Sequence, residues 1–147
     1  VTSFREYCRA HQDDVLAGKQ VYLLRNESKR GLGFFEANNF YPDFILWILD
    51  GEKQYITFID PKGIRNLKGL EDDKIQLFKY LQTEVSSQLG NNHLMLNSFI
   101  ISNTPMEQVE FWLKNPFEKG EFQKNHVLFK DDKGYLETMM NMILQYM

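Results

Sequence analysis

The stretch Phe40-Tyr41-Pro42-Asp43-Phe44-Ile45-Leu46-Trp47-Ile48-Leu49-Asp50-Gly51-Glu52-Lys53-Gln54-Tyr55-Ile56-Thr57-Phe58-Ile59-Asp60-Pro61-Lys62 decides how this chain folds. Two apolar runs, Phe40 to Leu49 and Tyr55 to Ile59, flank Asp50-Gly51-Glu52-Lys53. Asp-Gly between such runs is a strong short-range signal for a β-hairpin. In an antiparallel hairpin Asp43 and Asp60 lie at similar distances from the turn and are brought together. Asp60 and Lys62, two apart on an extended backbone, point to the same side. Pro61 has no N–H to give a sheet ladder, so the strand is expected to end or bulge there.

Outward from the hairpin the pattern alternates between helix and strand. Phe4, Cys8, His11 and Val15 recur at helical spacing, which predicts a helix over residues 3–17 with Gly18 just past its end. Val21 to Leu24 reads as a short strand. Residues 26–33 read as a loop, and Phe34-Phe35 as a strand start broken near Asn38-Asn39. A loop over 63–69 carries Lys62, Arg65 and Lys68 at its margins. Ile75, Phe78, Leu81, Val85 and Leu89 form one apolar face, predicting a helix over 71–89. Glu71, Asp72 and Asp73 suit the positive end of its dipole, and Gly90 ends it. Leu94 to Ser102 reads as a strand buried on both faces. Residues 106–113 read as a short helix capped by Thr104 with Glu107 three residues on. A loop over 115–120, a strand over 127–129 and a Met-rich helix over 135–147 complete the chain. The order is helix, three strands, helix, strand, then a further strand and helix. It predicts an α/β protein with helices packed on a mixed central sheet.

A chain of 147 residues supports one domain with a real core, and we read residues 1–147 as that single domain. Apolar content of 43% and aromatic content of 14% place it among globular proteins. No apolar run reaches bilayer length. The opening Val1-Thr2-Ser3-Phe4-Arg5-Glu6 lacks the basic and apolar regions of a secretion signal. It also lacks an initiator Met, so we expect a piece cut from the C-terminal part of a longer protein. Cys8 alone forms no internal disulfide and fits a reducing, cytoplasmic compartment. A formal net charge of −3 gives no global attraction to nucleic acid.

Asp43, Asp60 and Lys62 together carry chemistry that neither Pro-Asp nor Asp-Pro carries alone, since each dipeptide is also an ordinary turn signal. Mg²⁺ takes oxygen ligands and is usually held by one or two carboxylates plus water and substrate phosphate. Asp43 and Asp60 offer the carboxylates and Pro61 a carbonyl oxygen. Lys62 is placed to orient water and to offset charge building on phosphorus.

Pro42-Asp43, a hairpin-containing spacer and then Asp60-x-Lys62 resembles the PD-(D/E)xK, or restriction-endonuclease-like, nuclease superfamily. The run from Gly33 to Trp47 looks more closely like the nuclease segment at the C-terminus of type III restriction-type and DEAD/DEAH-box helicase proteins. The likeness covers about residues 3–102. It implies a restriction-endonuclease-like core and Mg²⁺- or Mn²⁺-dependent endonuclease cleavage of DNA. It also implies partnership with a helicase or ATPase region of the same parent chain. Asp43 and Asp60 would hold the metal and Lys62 would assist hydrolysis. Relatives often carry a further glutamate, for which Glu36 is preferred over Glu6. Some carry Gln-x-x-x-Tyr on the following helix, matched by Gln76 and Tyr80. The proline between Asp60 and Lys62 departs from the apolar or β-branched residue usual there and bears on the direction of Lys62.

Other residues read more plainly. His11 falls on an apolar helix face, and His93 and His126 lie in loops without metal-ligand spacing. Arg65, Lys68, Lys74 and Lys79 follow the acidic pair, where they can meet phosphates or simply form a solvated face. Gly31-Leu32-Gly33 is too short for a phosphate-binding loop, so ATPase activity would belong to another region. Met139, Met140, Met142 and Met147 read as packing residues. The alternative to a nuclease is a catalytically inactive domain of the same fold that binds nucleic acid or docks a partner.

Overall fold

The structure is a computed structural model that describes residues 2–27, 30–31, 33–34, 40–62, 69–108 and 119–145. Five strands form one mixed sheet in the order β1 (Gln20–Arg25), β2 (Phe44–Asp50), β3 (Lys53–Lys62), β4 (Leu94–Ser102) and β5 (Val127–Phe129). β1, β2 and β3 run antiparallel, whereas β3, β4 and β5 run parallel. The α/β class and the mixed sheet expected from the sequence are therefore present.

The hairpin closes where the sequence placed it. Asp50 pairs with Lys53, leaving Gly51 and Glu52 as a two-residue loop. Gly51 takes φ +61°, a backbone state that costs a side-chain-bearing residue more than glycine.

Helices cover both faces of the sheet. Phe58, Leu96, Ile100, Val127 and Phe129 point into a first core, closed by Ile75, Leu77 and Leu81. Here α2 (Leu77–Tyr80) runs through a π-helical turn (Leu81–Val85) into α3 (Ser86–Leu89). The alternate residues Leu46, Ile48, Tyr55, Ile59, Phe99 and Ile101 point into a second core. That core is closed by Met139, Met140 and Ile143 of the C-terminal helix (Tyr135–Leu144) and by Phe4, Tyr7 and Cys8 of α1 (Thr2–Ala10). β4 is buried from Leu96 onward, as its largely apolar run required. Met139 and Met140 are core residues, while Met147 lies outside the described residues. No described helix is long and apolar enough to cross a membrane.

Four expectations are corrected. The first helix stops at Ala10 because Asp14 turns its carboxylate onto the His11 ring and the Val15 N–H, an alternative to helical bonding. The long helix starts at Leu77, since Asp72 Oδ1 accepts the Lys74 N–H at 2.9 Å and holds residues 71–76 in turns. Glu71, Asp72 and Asp73 thus precede the helix. Phe34 makes one bridge with Phe40 and no strand, and Phe35 lies outside the described residues. A six-residue helix, α4 (Lys119–Lys124), begins inside the loop expected over 115–120. Of the helix expected over 106–113, residues 106–108 are helical and the rest lie outside the described residues.

Candidate functional site

β2 and β3 set Asp43 and Asp60 opposite one another. Phe44 pairs with Ile59, so the next pair out is Asp43 with Asp60. The two are tied directly, for the Asp43 N–H donates to Asp60 Oδ1 at 2.9 Å. Asp60 is 4% exposed and shares the first-core face with Phe58, whereas Asp43 is half-buried. Asn26, just past β1, clamps the strand carrying Asp43. Its backbone N–H donates to the Asp43 carbonyl at 2.8 Å and its Nδ2 to the Pro42 carbonyl at 2.9 Å. The sequence reading placed Asn26 only in a loop; its position at the end of an apolar strand run was the available signal.

Pro61 neither ends nor bulges the strand. β3 continues through it, with Pro61 opposite Ile101 and Lys62 opposite Ser102 on β4. The β2 ladder has finished at Phe44–Ile59, so beyond Ile59 a residue without an N–H has an open side to face. The backbone alternation is unbroken from Phe58 to Lys62. On the opposite face Pro61 lines an apolar hollow of about 140 Å³ with Ile59, Ile101, Tyr135 and Met139, and Lys130 is among its lining residues.

Other candidates separate from this pair or fall outside view. Glu36, Arg65 and Lys68 lie outside the described residues, as does the side chain of Lys62. Glu6 is exposed on α1, and α1 packs on the face opposite Asp60. It is therefore not brought to the pair. Gln76 is turned inward as a tether, with Nε2 donating to the Leu70 carbonyl at 2.6 Å and to Asn125 Oδ1 at 2.8 Å. Tyr80 packs against the first core. Replacing Gln76 by alanine should therefore cost about 1–2 kcal/mol of stability in a denaturant titration. Lys74 and Lys79 hold their ammonium groups 5.7 Å from the Phe40 ring and 5.9 Å from the Phe78 ring.

Asp43 and Asp60 form a hard-oxygen donor pair suited to Mg²⁺ or Mn²⁺. Among the described residues no group of three or more His, Cys, Asp or Glu side chains that could hold a metal ion gathers.

His126 is the titratable residue whose setting was hardest to foresee. Its ring stacks on Phe78 at 3.7 Å and on Phe99 at 4.6 Å, and its Nδ1 meets the Ser98 carbonyl at 3.0 Å. Burial pushes its pKa down to about 4. It is a core histidine, whereas His11, its ring tilted 34° against Tyr7 with centroids 4.4 Å apart, is an edge one. No family model, no curated protein and no solved structure matches this chain.

Proposed function

We propose that the chain is a metal-dependent nuclease domain of restriction-endonuclease-like fold that hydrolyses phosphodiester bonds in DNA. The observation that carries this reading is the apposition of Asp43 and Asp60. Like charges facing each other on neighbouring strands are destabilising, and one of this pair is almost fully buried. A divalent cation between the two would offset that repulsion. The αβββαβ order and mixed sheet support the same reading.

In this reading Asp43 and Asp60 hold Mg²⁺ or Mn²⁺ with the Pro61 carbonyl. When bound, the metal polarises the scissile phosphate as a Lewis acid. The Asp43 N–H fixes the orientation of Asp60, and Asn26 fixes the strand that carries Asp43. Lys62 closes β3 two residues beyond Asp60, where an ammonium would orient the attacking water and offset charge on the phosphorane. Glu36 is the proposed further carboxylate, and Arg65 and Lys68 the proposed phosphate contacts. A helicase or translocase region of a longer parent chain would deliver the DNA in a restriction or DNA-processing system.

The test uses plasmid and single-stranded DNA with Mg²⁺ or Mn²⁺, and with EDTA as control. Cutting by the wild-type chain should need the metal and disappear in Asp43→Ala, while that variant binds DNA as tightly or more tightly. Metal calorimetry on both proteins covers the case of a chain that needs its motor to cut. If neither metal binds the wild-type chain, the nuclease reading fails. The catalytically inactive nucleic-acid-binding or partner-docking domain would then be the better account.

A further inference from the structure

A second feature lies on the flank where α1 meets β1. Two adjoining hollows of about 340 and 490 Å³ run between them and share Arg5, Cys8 and Val21. Arg9 and Lys19 line the first, and Arg25 lines the second. Among the described residues no carboxylate lines either one. The chain has five arginines and a net charge of −3, yet it concentrates Arg5, Arg9 and Arg25 here. Lys19 is weakly paired with Asp50 at 3.9 Å, but among the described residues none of the three arginines joins an ion pair.

The positions are set by the fold. Arg5 and Arg9 are four apart on α1, so they stack along one flank of the helix. Glu6 is turned away from that flank, being 100° round from Arg5 on the side opposite Phe4. The Arg25 guanidinium lies 5.2 Å from the Phe44 ring centroid, an arrangement that holds the side chain along the strand. One end of the groove lies at the Arg25 end of β1, on the second-core face opposite Asp60. Arg25 precedes Asn26, which bonds Pro42 and Asp43, and Phe44 follows Asp43. The other end reaches Gly18 and Lys19.

We propose that this groove binds the backbone of one nucleic-acid strand, with Arg5, Arg9 and Arg25 on its phosphates. The identification of the anion rests on the nuclease reading; the groove itself rests on its own charge and shape. Arginine suits the role because its planar fork meets phosphate oxygens in pairs. The six residues of β1 span about 20 Å, the length of about six nucleotides at stacked spacing. A repeating anion matches a row of cations without carboxylates, whereas a single small anion would leave most of the row unused.

The test is anisotropy with a labelled single-stranded oligonucleotide, in EDTA so that no cutting is needed. The wild-type chain and Asp60→Asn should bind with the same salt slope. The combined variant Arg5→Gln, Arg9→Gln, Arg25→Gln should bind much more weakly, with the slope of log K against log salt shallower by about 2 for three lost phosphate contacts on a single strand. An unchanged slope in that variant overturns the proposal, and so does equal displacement of the oligonucleotide by polyglutamate. Circular dichroism and thermal melting check that the variant is folded. A second readout needs no variant: Cys8 lines both hollows, so a saturating oligonucleotide should slow its alkylation, and unaltered alkylation counts against the groove. Loss of the slope in the arginine variant without cutting by any metal would leave the groove standing and sink the nuclease. Metal-dependent cutting with an unchanged slope would do the reverse.

Discussion

Asp60→Asn should abolish most metal-dependent cutting while leaving the fold intact. Asparagine keeps an oxygen that accepts the Asp43 N–H and nearly the same volume, so the tie between β2 and β3 survives. What disappears is one negative charge in a position 4% exposed to solvent, where water screens little. Losing one pre-organised electrostatic group typically costs a factor of about 10²–10³ in rate, and the metal-holding role proposed for Asp60 puts it at the upper end. Asp60→Ala should be equally inactive but less stable, because the Asp43 N–H loses its acceptor, at a cost of about 1–3 kcal/mol if it stays buried. Comparing the two variants by cutting rate and by denaturant midpoint separates the chemical role from the structural one. An Asp60→Asn protein that still cuts at the wild-type rate would remove Asp60 from the chemistry.

The other large effect is on stability. Phe99 is 2% exposed in the second core and also covers one side of the His126 ring. Phe99→Ala should cost about 3–5 kcal/mol, the usual range for emptying an aromatic core position. The same sandwich makes stability depend on pH. In the unfolded chain His126 takes its ordinary pKa near 6.5, and in the folded chain burial lowers this to about 4. Between those values the unfolded state binds the extra proton. This contribution to stability is therefore complete above about pH 6.5 and is lost as pH falls through the window, by about 1.4 kcal/mol per unit. His126→Asn is the matching control. Asparagine tolerates the φ of +60° that His126 adopts, and it has no proton to take up. Denaturation curves from about pH 7.5 down to about pH 4.5 should show a slope in the wild type that is shallower in His126→Asn by one proton. Equal slopes would mean that His126 does not titrate as its burial requires.

The acidic pair was legible because a two-residue turn fixes register. Once Gly51 and Glu52 are the loop, counting outward makes Asp43 and Asp60 partners, with no tertiary information required. β4 was legible for a similar reason, as nine mostly apolar residues have few other places to go. The helix limits were harder, since Asp72 and Asp14 satisfy backbone and ring donors with their own carboxylates, a choice that periodicity does not encode. α4 was missed because a six-residue segment containing Gly120 has almost no periodic signal. The strand's passage through Pro61 was missed because it depends on where β2 stops. The arginine groove was invisible along the chain, since Arg5 and Arg9 meet Arg25 only when α1 folds back beside β1.

The change from antiparallel to parallel pairing at β3 has a consequence for the order of assembly. β1, β2 and β3 can zip through neighbouring contacts, and the Asp43–Asp60 apposition belongs to the fastest of these, a hairpin that closes in microseconds. β4 must wait until the whole segment from residue 63 to residue 93 has crossed over the sheet, a slower closure with higher contact order. Asp43 and Asp60 are thus set side by side while still in water, and the low-dielectric wall beside them arrives later. Changes around the Gly51 turn should therefore act mainly on the folding rate, and changes in β4 and β5 mainly on the unfolding rate.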